Sequence, residues 1–257
     1  MLKAYAKINL ELKVLNKLEN NYHNLEMLNC KISLYDSIYI RKAKKNKIRY
    51  SNFKIESSHD TLFKMILSLQ KKYPHLPKFN IYIKKRIPLG FGLGGMSSDG
   101  ASIVNYLNDK YKLNMDDQTK IDFVKNYSTD MCYCLFDYPA IVKGIGDIII
   151  RTEKVDIDKV IVVDPNIYIS TKEVFDEVEN FDLSNHKYRN DLELIVRSKN
   201  SKMDKFLTEL SNLNIGDVQM SGSGSAIIIT NFKKETMKKI KKNYKNFKVH
   251  IYNIRKG

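Results

Sequence analysis

Apolar positions recur along this chain with two periods, and each predicts a different element. Residues 79–83 (Phe79, Asn80, Ile81, Tyr82, Ile83) alternate apolar and polar, the period of a half-buried strand. Runs rich in Ile, Val, Tyr or Phe at 37–43, 79–84, 159–163, 226–230 and 248–254 predict strands. Elsewhere the spacing is helical. Leu62, Met65, Ile66 and Leu69 share one face, as do Met203, Phe206, Leu207, Leu210 and Leu213. Ala101, Val104, Asn105 and Leu107 suit a helix that begins just after a glycine-rich loop. Strands and helices mixed without strict alternation read as α+β. The stretch 151–156 separates two groups of strands, so we expect one domain over 1–155 and a second over 156–257.

Composition narrows the class. With 257 residues, 43% of them hydrophobic and 28% charged, the chain can bury a core and is not disordered by composition. No apolar run reaches the length of a transmembrane helix, and the first residues lack the charged and apolar regions of a signal peptide. The three cysteines fit neither a disulfide framework nor a four-ligand zinc site. A cytoplasmic protein with reduced thiols and no membrane partner is the expectation. The net charge of +15 is partly concentrated in two stretches, 41–54 and 233–256, the second opposed only by Glu235. Such a footprint attracts any polyanion. Abundant Ile, Lys, Asn and Tyr with no Trp also fit simple compositional bias, so no specific nucleic acid is expected as a partner.

The most informative segment is PLGFGLGGMSSDGA, residues 88–101, which follows a strand and precedes a helix. Gly90, Gly92, Gly94 and Gly95 let the backbone turn sharply and let ligand oxygens approach its amides. The first amides of the next helix lack intrahelical partners and carry the positive end of the dipole, which makes a phosphate site. Ser97 and Ser98 add hydroxyls for phosphate oxygens or a hydrated Mg²⁺. No Gly-Lys-Ser/Thr follows, so this is not a Walker loop. A dinucleotide fold is disfavoured too, because residues 107–117 are a polar helix end rather than a strand closing on an acid.

Three segments in order, AYAKINL at 4–10, the 88–101 loop and VQMSGSGSA at 218–226, resemble the three signature motifs of the GHMP kinases. That family includes the galactokinases and the homoserine, mevalonate and phosphomevalonate kinases. The resemblance covers nearly the whole chain. It implies a two-domain α+β fold, with a ribosomal S5 domain 2-like N-terminal part and a ferredoxin-like C-terminal part. It also implies ATP and Mg²⁺ as cofactors. Tyr22-His23-Asn24-Leu25, Ser33-Leu34-Tyr35-Asp36 and Asn190-Asp191-Leu192-Glu193 are similar to members that phosphorylate the 2-hydroxyl of a diphosphocytidyl-bearing methylerythritol. That step belongs to the non-mevalonate route to isoprenoids. Other members of the family, of homoserine or mevalonate type, stay open as alternatives, with a basic nucleic-acid-binding protein as the competing class.

By resemblance, Asp130 accepts or orients the proton of the substrate hydroxyl, and Lys7 lies beside it and stabilises the transferring charge. A helix cap and an exposed strand lysine are the plain readings of the same two residues. Lys85, Pro88, Gly90, Gly92, Gly94, Gly95, Ser97 and Ser98 are then expected to bind ATP, with Ser98 a possible metal contact. Asn9, Thr171, Gly222 and Ser223 are expected at the substrate. Tyr22, His23 and Phe175 are expected around a cytosine, the two aromatic rings on opposite faces. Tyr5, Asn29, Met96 and Cys132 depart from the family pattern, Asn29 standing where an aromatic residue near the base is usual. The partner is a small molecule carrying a cytidine diphosphate group, and the protein is expected to be a monomer or weak homodimer.

Overall fold

Every even-numbered residue from Ala4 to Val14 is apolar and buried, so the N-terminal segment alternates strictly and forms the 16-residue strand β1 (Leu2–Lys17). The protein is described by a computed structural model over residues 1–19, 21–153, 155–244 and 247–257. Lys154 of the expected domain boundary and Lys245 of the basic C-terminal stretch lie outside the described residues. The chain divides into two units, but not at residue 155. Unit one comprises residues 1–6, 34–88 and 94–136, and unit two comprises 7–33, 89–93 and 137–257. The expected sequential split is thus corrected. β1 and the 21-residue strand β2 (His23–Ala43) each run from one unit into the other, so membership changes within a strand rather than in a linker.

In unit one, residues 37–43 of β2 pair antiparallel with β4 (Lys78–Lys84), and β3 (Lys47–Tyr50) lies parallel to β4. Phe79, Ile81 and Ile83 of β4 are buried, as its alternation requires. Helix α1 (Thr61–Lys72) starts where Asp60 accepts the amides of Leu62 and Phe63, and it buries Leu62, Met65, Ile66 and Leu69. Helix α2 (Gly95–Tyr111) packs on α4 (Asp130–Cys134), which α3 (Asp117–Val124) also touches. The approach is close. A Cβ on Gly100 would meet the Met131 side chain at 2.7 Å and Leu62 at 3.0 Å.

In unit two, β10 (Lys248–Arg255) pairs antiparallel with residues 31–32 of β2 on one side and with β7 (Lys159–Asp164) on the other. Beyond β7 follow β9 (Ile227–Thr230) and β8 (Asp217–Met220). Every residue of 160–163 and 227–230 is buried, which explains why these strands read as continuous apolar runs rather than alternations. Residues 25–29 of β2 pair with β5 (Ala140–Gly144), whose other neighbour is β6 (Ile148–Arg151). Helices α5 (Thr171–Asp176), α6 (Leu192–Lys199), α7 (Ser201–Asn212) and α8 (Thr236–Asn243) complete the unit. Each predicted strand and helical face falls on an element of the matching kind, except that Leu213 is the C-cap beyond α7 and Ala226 precedes β9, and the α+β class holds.

Candidate active site

In unit one the glycine loop ends at Gly94, which takes a left-handed φ of 64° as the N-cap of α2 and offers no side chain to cap the first turn. Gly95 is needed for closeness: a Cβ there would lie 3.0 Å from the Ile87 side chain and 3.4 Å from the Lys85 ammonium. Ser97 Oγ lies 3.1 Å from Ser128 Oγ, two residues before Asp130. Asp130 is the first residue of α4 and half-buried; the N-cap is Thr129, so Asp130 is not the cap that its sequence context allows.

Two expectations in this unit are corrected. Ser98 is fully buried; its hydroxyl donates to the Tyr5 carbonyl (2.7 Å) and lies 3.2 Å from Cys134 Sγ, so it holds α2 in place and is not placed to touch a metal. Lys85 does not reach toward a nucleotide. Its ammonium is 1% exposed and sits 2.5 Å from Asp36 Oδ2 and 2.6 Å from Asp99 Oδ2. Asp36 in turn accepts the backbone amides of Arg86 and, at 2.9 Å, of Ile87. The cluster therefore ties the segment between β4 and the loop, residues 85–87, to the helix after it. Burial pushes the Asp99 carboxyl up to about 7, against the pull of the Lys85 charge, and the Asp36 carboxylate adds to the rise.

In unit two a hydrogen-bonded line of side chains starts at Lys7, which is 4% exposed. Its ammonium donates to Asn9 Oδ1 (2.9 Å), and Asn9 Nδ2 donates to Asn29 Oδ1 (2.6 Å). The Asn9 amide donates to Ser221 Oγ (3.2 Å), and the Lys7 amide to the Leu93 carbonyl (3.0 Å). Glycine-loop residues 89–93 pack on the 221–226 turn. A Cβ on Gly92 would strike the Ser221 carbonyl oxygen at 2.2 Å, and Ala226 donates its amide to the Phe91 carbonyl. Gly222, with φ of 58°, leaves Asn9 Oδ1 only 3.2 Å from where its Cβ would be. Thr171 Oγ1 and Ser223 Oγ lie 2.7 Å apart. Of the three residues expected around a base, the structure brings two together: the rings of His23 and Phe175 are 5.9 Å apart and tilted by 30°. Tyr22 is 56% exposed. His23 also lines a cleft of about 500 Å³ with Lys17, Glu179, Phe181 and His186.

Residues 60–144 match the family model for the GHMP kinases N-terminal domain. A 4-diphosphocytidyl-2-C-methyl-D-erythritol kinase from Thermoanaerobacter pseudethanolicus is 31% identical over 246 residues, spanning 88% of this chain and 85% of that protein. One from Neisseria gonorrhoeae is 31% identical and spans 87% and 83%. The chain belongs to the GHMP kinases. A crystal structure of 4-(cytidine 5'-diphospho)-2C-methyl-D-erythritol kinase superposes with a TM-score of 0.82 over 100% of this chain and 99% of that one, at 22% identity. A Methanococcus jannaschii mevalonate kinase gives 0.70 at 15% identity, over 100% and 98%, a likeness of fold alone.

As a GHMP kinase this protein is an ATP-dependent small-molecule phosphotransferase. Membership also directs attention to residues that the sequence reading left without a role. Asn29 is buried on β2 and orients Asn9, so a neutral amide partner stands where an aromatic residue was expected. Asn190 Nδ2 donates to the carbonyls of Met220 (2.9 Å) and Gly222 (2.7 Å), and Glu193 accepts the Met220 amide (2.8 Å), so both fix the 220–222 turn. Asp191 accepts the Val14 amide (2.8 Å) and faces His186 Nδ1 at 2.9 Å. The segment 190–193 was legible as a family trait, but its work is to hold backbone. Among the described residues no helix is long and apolar enough to cross a membrane, and no three His, Cys, Asp or Glu side chains group as metal ligands.

Proposed function

We propose that this kinase transfers the γ-phosphoryl group of ATP to the 2-hydroxyl of 4-diphosphocytidyl-2-C-methyl-D-erythritol, a step of the non-mevalonate route to isoprenoids. The observation that carries the reading is the near full-length relationship to kinases of that name, at 31% identity over most of both chains. Gly90, Gly92 and Gly94 take left-handed turns and Gly95 packs closely on Ile87, which shapes a loop whose backbone amides meet phosphate oxygens, and the dipole of α2 favours their charge. Asp130 takes the hydroxyl proton as the new O–P bond forms. Lys7, held by Asn9, stabilises the charge that develops on the transferring group. Thr171, Ser223 and the Gly222 turn hold the alcohol; His23 and Phe175 hold the base, with Tyr22 closing from the exposed side. Ser97 and Asp130 are the protein groups that would hold an Mg²⁺ brought in by the nucleotide with most of its waters kept. When bound, that ion neutralises charge on the phosphate oxygens.

The test is ATP consumption with the diphosphocytidyl substrate, with methylerythritol phosphate, homoserine and mevalonate as controls. Turnover is expected with the first only. Equal turnover on an alcohol lacking cytosine would leave a GHMP kinase of another substrate. Asp130→Asn is expected to lower kcat by about 10²–10⁴-fold while ATP affinity is kept, because an amide cannot take up the proton.

A further inference from the structure

The outer edge of unit two's β5–β6 hairpin ends in a self-complementary sequence. β6 pairs with β5, and among the described residues no strand covers its other side. Its side chains are unusual for an open edge: Ile148 is 52% exposed and Ile150 47% exposed, with Ile149 between them half-buried. No Pro, bulge or inward lysine blunts this edge, and such an edge is a template for another strand. The flanking charges complete the pattern. Asp147 precedes the three isoleucines and Arg151 follows them, the latter stacked over the Tyr138 ring at 5.2 Å.

The direction of the backbone groups can be worked out from one bond. Thr152 donates its amide to the Pro139 carbonyl across the hairpin, at 3.0 Å. In an antiparallel ladder, hydrogen-bonded residues alternate. With Ala140 opposite Arg151 and Ile141 opposite Ile150, the main-chain groups of Ile150 and Ile148 point toward β5. Those of Ile149 and Arg151 therefore point to the open side. Antiparallel pairing of two β6 strands about a two-fold axis at Ile149 would put Ile149 opposite its own copy with both outward groups engaged. The same register sets Ile148 against Ile150 of the other copy, and Asp147 against Arg151, twice. Side chains that face each other are then apolar with apolar and acid with base, and the contact is isologous.

We propose that the β6 edge is a homodimer interface in which two copies of this chain pair antiparallel about Ile149. A four-residue edge buries little surface, so the dimer is of the weak, reversible class, with a Kd on the order of 10–100 µM. The experiment is sedimentation equilibrium of the full chain from micromolar to near-millimolar concentration. The mass average is expected to climb from monomer toward dimer. Arg151→Glu, which sets two acids against each other at both ends, is expected to weaken association about tenfold. The charge swap Asp147→Arg with Arg151→Asp restores the opposite pairs and is expected to recover the wild-type Kd. Arg151 is exposed and Asp147 half-buried in the hairpin turn, and kinase activity of each variant reports that it is folded. A monomer at every concentration, an Arg151→Glu variant that associates like wild type, or a swap that fails to recover what Arg151→Glu loses would each overturn the proposal.

Discussion

Two buried lysines, one in each unit, touch different side chains: Lys85 two carboxylates, Lys7 an oriented amide. Lys85 is clamped by charge, with two carboxylates within 2.6 Å and no solvent. Among the contacts of Lys7 is its donation to the Asn9 amide oxygen, and Asn29 accepts from the other end of that amide and so fixes which way it faces. An ammonium between two buried carboxylates is the keystone of a structure, because its removal leaves like charges facing each other out of water. An ammonium on an oriented amide has a direction imposed on it, which is what a group that must meet a reacting phosphoryl requires. Both lysines follow the same plain signal in sequence, a cation beside an apolar strand. The two carboxylates of Lys85 come from Asp36 and from Asp99, 14 residues on, whereas the amide that Lys7 meets is two residues away on the same strand.

Replacing each lysine by Met is the strongest way to break that comparison. Lys85→Met is expected to lower stability by about 3–5 kcal/mol, the usual cost of stripping one partner from a buried ionic group. Thermal denaturation reads it directly. Lys7→Met is expected to leave the melting temperature near that of wild type and lower kcat by about 10²–10³-fold, the scale of one lost electrostatic contact to the transition state. A stable Lys85→Met protein that has lost ATP binding would reverse the two roles and restore the nucleotide contact expected from sequence.

A smaller effect tests the aiming of Lys7. Asn29→Leu removes the acceptor of Asn9 Nδ2 and leaves a buried amide donor short of a partner, at about 1–3 kcal/mol. Asn9 is then free to turn, and its Oδ1 no longer has a fixed direction toward Lys7. The expected outcome is a kcat about tenfold lower, with KM for ATP unchanged. Loss of stability with kcat intact would make Asn29 a packing residue only.

The glycine loop, the helix behind it and five strands were legible because their signals are local: glycines, an apolar period, β-branched runs. β1 was harder to read as a strand, since Lys7 and Asn9 interrupt its apolar content, yet both fall on the odd-numbered side of a perfect alternation. The interleaving of the units left no mark, because no linker exists where β1 and β2 change membership. The Asp36–Lys85–Asp99 cluster was hidden for a different reason. Lys84-Lys85-Arg86 looks like one solvated run, and only the strand period, which sends Lys85 inward between exposed Lys84 and Arg86, singles it out. Asn29 looked like a defect in a base pocket, and became meaningful only once Asn9 was seen to depend on it.

The least disruptive change sharpens the account of the clamp. Asp36, Lys85 and Asp99 bring two acids and one base together without water, and Asp99 takes the consequence, its carboxyl pushed up to about 7 from an ordinary 3.8 mainly by burial. A carboxyl with a higher pKa in the folded than in the unfolded chain binds more protons when folded between those two values. Stability from this group therefore declines as pH rises from about 4 to about 7 and levels off above, the reverse of an ordinary salt-bridged acid. Asp99→Asn removes that titration. It leaves Lys85 one carboxylate, Asp36, so the cluster goes from an excess negative charge to balance, at the loss of one charged hydrogen bond. Melting temperature against pH is expected to drop between pH 5 and 7 less steeply for the variant than for wild type, with the two curves converging or crossing near pH 8. Parallel curves would mean that Asp99 stays ionised throughout, and that Lys85 alone suffices to hold two buried carboxylates charged.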